Sequence, residues 1–179
     1  MMTNTVTLNP PLYVTSMDEL FWGATLVAIS LLMHGLGMLG TLRFSEAYKR
    51  WCGNSSSFLL GMVHLIFASW MITLAHILEV MMWAGFFQWK QCFPNYSTAA
   101  YFALNEYTTV GSSFNLPQNW RLLEGMIATA GLLGFAWSTG VLLTLAQAFQ
   151  EEQLESLKQR RSKHGSPSGP ASTSGQTRA

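Results

Sequence analysis

Three histidines and one glutamate lie inside stretches that otherwise carry no charge: His34, His64, His76 and Glu79. An ionisable side chain within a membrane is costly and is a functional suspect by default. Paired histidines are ligands for a metal or a haem. His64 and His76 are twelve residues apart, which sets them about 120° apart around a helix and makes a poor shared ligand face. His76 and Glu79 are three apart and do share a face. They are read as a structural pair, with Glu79 accepting from His76 or holding a neighbouring element. A metal site needs further ligands, and the sequence offers none, so neither a metal nor an organic cofactor is expected.

Other matches lose their meaning in context. Gly35-Leu36-Gly37-Met38-Leu39-Gly40 fits the G-x-G-x-x-G pattern, but a dinucleotide site needs a preceding strand and a helix in water. Inside an apolar run, small residues instead let helices approach closely. Asn95-Tyr96-Ser97 and Asn54-Ser55-Ser56 match the glycosylation acceptor pattern and are read as chance. No Ser/His/Asp or paired-carboxylate arrangement sits at one depth, so no enzyme is expected. A net charge of +1 gives no support for nucleic-acid binding.

The elements that must position these residues follow from the charge map. The chain has 179 residues, 49% hydrophobic and 11% charged, against about a quarter charged in soluble domains. Leu20–Leu42 carries no Asp, Glu, Lys or Arg, Phe58–Trp89 carries only Glu79, and Gly125–Phe149 carries none. About 20 apolar residues cross a hydrocarbon core as a helix. The expected architecture is an all-α membrane protein with transmembrane helices at 17–42, 57–89 and 122–149. Asp18 and Glu19, with no preceding Lys or Arg, argue against a cleaved signal peptide. Ser16 or Asp18 is the candidate cap of the first helix.

Lys and Arg set the orientation. Arg43, Lys49 and Arg50 lie in the link at 43–56, and Lys158, Arg160, Arg161, Lys163 and Arg178 lie in the tail at 150–179. Both are read as cytoplasmic, the link as a short basic turn and the tail as a helical continuation that becomes disordered from about residue 164. The lead at 1–16 and the segment at 90–121, with only Lys90 and Arg121, face outside. Cys52 and Cys92 then lie on opposite sides and cannot pair within one chain. Cys92 is either an unpaired thiol or a bridge between subunits.

The segment at 90–121 is too short and too polar at its end to span. Tyr101-Phe102-Ala103-Leu104 predicts a short helix over 98–107, started by Ser97 or Thr98, then an extended loop that Pro117 ends. Irregular backbone at membrane depth must be buried in protein or line water, so a re-entrant loop is expected.

That loop contains Thr108-Thr109-Val110-Gly111. With "NWRLLEGMIATAGLLGFAWSTGVLL" in the last span and "LAHILEVMMWAGFF" in the second, it resembles small bacterial proteins of the potassium-channel-like, pore-loop family over most of Phe58–Phe149. The resemblance implies a re-entrant pore helix and a filter loop at 108–114. In such a filter the backbone carbonyls of four copies replace an ion's water shell. Thr108, Thr109, Val110 and Gly111 match its inner half. Ser112, Ser113 and Phe114 stand where the family has an aromatic residue, a second glycine and an aspartate, so the filter is a variant one. A serine forced into a left-handed conformation costs about 1 kcal/mol, and the outer carbonyl rings are expected to be displaced.

The resemblance therefore implies a homotetrameric cation channel in lipid, in a bacterial inner membrane, passing potassium or, with relaxed selectivity, sodium too. The alternative is a non-conducting subunit that keeps the pore fold and serves a partner subunit. Gly131 and Gly134 fall where the family's inner helix bends, or else serve close packing. Glu106 and Glu124 flank the loop and either draw cations to the pore mouth, or are solvated or pair with Arg121. The first span has no Arg or Lys to sense voltage.

Overall fold

A computed structural model describes residues 13–51 and 58–164. The basic link's Cys52 and the Asn54 glycosylation pattern lie outside the described residues, as do most of the lead and the tail beyond His164. Helix α1 runs Met17–Trp51, α2 Phe58–Trp89, α3 Tyr96–Tyr107 and α4 Leu122–His164, with a 3-10 turn at Gln118–Trp120. No strand is present among the described residues. Three helices are long and apolar enough to cross a membrane, within Met17–Tyr48, Phe58–Trp89 and Gln118–Gln159. Leu59, Ile66, Trp70, Leu78, Leu132 and Leu133 all point outward from them, a surface suited to lipid.

Each end has a local cause. Ser16 begins α1 with a reciprocal cap: its hydroxyl accepts the Glu19 N–H at 3.1 Å, and the Glu19 carboxylate accepts the Ser16 N–H at 3.1 Å. That carboxylate is fully buried and also accepts Tyr13 Oη and the N–H of Leu122, both at 3.0 Å. It thus sits at the N-terminus of α4, where the helix dipole favours a negative charge. The first helix does not stop at Leu42 in a basic turn but continues to Trp51. No glycine or proline interrupts residues 43–51, and Glu46 and Arg50 pair one turn apart at 4.0 Å.

Helix α3 starts two or three residues earlier than a cap at Ser97 or Thr98 would place it. Asn95 is its cap, its side-chain oxygen accepting the Thr98 N–H at 2.8 Å. That gives the Asn95-Tyr96-Ser97 pattern a structural explanation. Helix α3 packs between α2 and α4 through Ala99, Phe102 and Ala103, all fully buried, against Phe87, Leu123 and Ile127. A second cluster, Met38, Ile72 and Ala75, lies farther along α1 and α2. Between the two apolar clusters runs a polar layer.

Candidate functional site

The polar layer is a closed ring of five side chains drawn from all four helices. His34 Nδ1 on α1 lies 2.8 Å from Glu79 Oε1 on α2. The other carboxylate oxygen, Glu79 Oε2, accepts the hydroxyl of Tyr107 on α3 at 2.6 Å. Tyr107 Oη in turn meets His76 Nδ1 at 2.9 Å, and His76 Nε2 meets the Ser138 hydroxyl of α4 at 3.0 Å. Ser138 closes the circle on His34 Nε2 at 3.1 Å. His34, Glu79, Tyr107 and Ser138 are buried. The imidazoles lie 4.9 Å apart, with Phe135 stacked on His76 at 4.5 Å.

Small residues make the ring possible. A Cβ on Gly134 would stand 2.9 Å from the Tyr107 hydroxyl and 3.5 Å from His34 Nδ1. A Cβ on Gly131 would overlap the Tyr107 carbonyl oxygen. Both glycines therefore serve close packing of α4 on the end of α3, and α4 is continuous helix through both.

His76 and Glu79 share a face, but they do not pair directly. Glu79 takes His34 and Tyr107, and His76 reaches Tyr107 and Ser138. His64 lies elsewhere, bonded to Ser45. The ligand-capable atoms of His34, His76 and Glu79 come within 4.8 Å of one another. Every ring nitrogen and both carboxylate oxygens are already engaged in hydrogen bonds. In this structure the cluster is joined into a hydrogen-bonded ring.

The residue after Tyr107 opens the second feature. The N–H of Thr109 bonds to Glu106 O at 3.0 Å, and that of Val110 to Asn105 O at 3.0 Å. These two bonds close a helix around a left-handed residue, a position usually held by glycine. Here it is Thr109, at φ 60. A β-branched residue in that region is a backbone outlier. Gly111 follows at φ 80, and its N–H also reaches Asn105 O. Ser112 gives its N–H to the Glu106 carboxylate at 2.9 Å.

All the amides from Thr108 to Ser112 therefore point back at α3, while the carbonyls of residues 108–112 accept no hydrogen bond among the described residues. Val110 is 76% exposed. Phe114 turns onto Tyr101 and Phe93, ring centres 6.3 and 6.5 Å away.

The two flanking acids are spent on backbone. Glu106 holds Ser112, and Glu124 accepts the Leu116 N–H at 2.7 Å, while Arg121 reaches Asn115 instead of either acid. Burial pushes the Glu106 carboxyl above the usual range, the Ser112 amide opposes this, and the Glu124 charge adds to it.

No family model, curated protein or solved structure matches this chain. The site is therefore defined by its own geometry. Tyr107 is the joint: it belongs to the ring through its hydroxyl and immediately precedes the loop. Sequence reasoning missed the ring's closure through Tyr107, Ser138 and His34. The available signal was that His34 and Ser138 are polar residues inside apolar helical runs, whereas Tyr107, at the end of α3 after Asn105 and Glu106, gave none.

Proposed function

We propose that this chain is the pore subunit of a cation channel in which four copies bring their 108–112 loops around one axis. The observation that carries the reading is that the carbonyls of residues 108–112 accept no hydrogen bond among the described residues, while the matching amides are tied to α3. Backbone carbonyls of a filter loop are cation ligands. Supporting it, α3 enters from the end of α2 and reaches Gly131 and Gly134, and the chain is back at the start of α4 by Leu116. On this reading that path is a re-entrant one. Phe114, braced on Tyr101, supplies an aromatic brace for the loop although Ser112 does not. The permeant ions on this reading are potassium and sodium, and the N-terminus lies outside.

One observation favours a second reading, a non-conducting subunit that serves a partner. The bonds at Thr109 and Val110 are those that end many helices and need no ion to explain them. Reconstitution into planar bilayers, with potassium on one side and sodium on the other, separates the two. The expected result is a cation current whose reversal potential reports the selectivity. Verified tetramers that carry no current under any gradient would move the assignment to the subunit.

A further inference from the structure

We propose that the ring of His34, Glu79, Tyr107, His76 and Ser138 is a binding site for one exchangeable proton inside the apolar layer, and that this proton sets how firmly α3 is clamped to α1, α2 and α4. The inference stands on hydrogen count and geometry and does not depend on conduction.

Each of the five bonds in the ring needs one hydrogen. The Tyr107 and Ser138 hydroxyls supply one each, and each neutral imidazole supplies one. An ionised Glu79 supplies none. The groups in their ordinary neutral-pH forms thus bring four hydrogens to five bonds. The conflict falls at Ser138, whose single hydroxyl hydrogen faces Nε2 of both His76 and His34, when His76 carries its hydrogen on Nδ1, and at Tyr107 when His76 carries it on Nε2.

A fifth proton resolves it. Placed on His34, on His76 or on Glu79, it completes all five bonds and keeps Tyr107 donating to Glu79. The three placements differ only by shifts of hydrogens along bonds already present. The filled ring has zero net charge. With four protons it carries a charge of −1 and one unmade bond within a buried layer, and each of these is unfavourable there.

The titratable groups facing the ring are its own members: His34 from α1, His76 and Glu79 from α2, and Tyr107 from α3. From α4 come only the Ser138 hydroxyl and the rings of Phe135 and Trp137. Glu106, next to Tyr107 in the chain, turns its carboxylate to the Ser112 amide. Glu19 is engaged at Ser16 and Leu122, and Lys90 lies over aromatic rings at the ends of α1 and α2.

The test compares wild type with Glu79→Gln in lipid nanodiscs, following the melting temperature from pH 7 to pH 9, above the ordinary histidine value of about 6.5. A glutamine amide brings the missing hydrogen permanently: its N–H donates to His34 Nδ1 and its oxygen accepts Tyr107. The variant should fold, and its melting temperature should be flatter with pH than that of wild type. Wild type should lose stability as pH rises, because the folded ring holds a proton that the unfolded chain releases. The limit is a tenfold change in the folding equilibrium per pH unit.

Equal pH dependence in the two proteins would overturn the proposal, and so would zinc chloride raising the melting temperature of wild type but not of the variant. If the variant does not fold, wild type alone decides. Histidine ¹⁵N and carboxyl infrared spectra should find one extra proton on His34, His76 or Glu79. Singly protonated imidazoles beside an ionised Glu79 at all pH values would sink the idea.

Discussion

The Tyr107 hydroxyl donates to Glu79 Oε2 across 2.6 Å, and Tyr107 Oη lies 2.9 Å from His76 Nδ1. One side chain at the last residue of α3 thereby holds two residues of α2. Tyr107→Phe keeps the ring's volume but orphans a carboxylate oxygen and an imidazole nitrogen. Each buried orphan costs about 1–3 kcal/mol. The expected outcome is a lower melting temperature in detergent with unchanged helix content by circular dichroism. A variant as stable as wild type would mean that water or another group satisfies both.

Two glycines that look equivalent in the sequence should respond in opposite ways. Gly131→Ala places a Cβ on the Tyr107 carbonyl oxygen, and backbone on backbone has little room to yield. A loss of about 1–3 kcal/mol follows from overpacking. Gly85→Ala, inside α2, meets nothing within 4 Å and gains about 0.5–1 kcal/mol of helix propensity. Thermal melts of the two variants side by side check the sign of each.

Lys90 lies over aromatic rings near the start of α1, at the end of α2 and in the 3-10 turn. Its Nζ lies 4.1 Å from the ring centre of Trp89, 4.7 Å from Trp22 and 5.3 Å from Trp120. Such contacts contribute about 0.5–2 kcal/mol, depending on desolvation. Lys90→Gln removes the cation while keeping a polar chain. The expected result is a modest fall in melting temperature together with a change in tryptophan emission, read by fluorescence. An unchanged spectrum would indicate that the ammonium is mobile in solution.

Cys92 should be slow to react at neutral pH. Half-buried after the end of α2, its thiol is pushed up to about 11 by burial, with the Lys90 charge pulling the other way. The thiolate is the nucleophile, so iodoacetamide labelling of a Cys52→Ser variant should be slow at pH 7 and accelerate as pH approaches 11. The same shift has a stability consequence. Its contribution is complete below pH 9.0, the ordinary thiol value, and is lost as pH rises through about 11. Fast labelling at pH 7, followed by mass spectrometry, would contradict the burial.

The sequence alone determined the three apolar spans, the short helix between the second and third, and the suspicion attached to His76 and Glu79. Those features are local. Charge-free runs, a helical face three residues wide and a proline after a loop are all written within a few turns of chain. The basic residues at 43–50 suggest a turn, yet nothing there breaks the helix, and α1 runs on to Trp51. Ser97 or Thr98 likewise suggests a cap that Asn95 supplies instead.

What only the tertiary structure decided is which groups meet. Glu79 and Tyr107 are 28 residues apart, His34 and Glu79 45, and His34 and Ser138 104. Their contact depends on how far each helix is rotated and slid against the next. That register is set by Gly131 and Gly134 beneath Tyr107 and by the packing of Phe87 and Phe102, which no single segment encodes. The unused carbonyls at 108–112 arise in the same way, because the amides of Thr109, Val110 and Ser112 chose partners on α3 that a linear reading does not reveal.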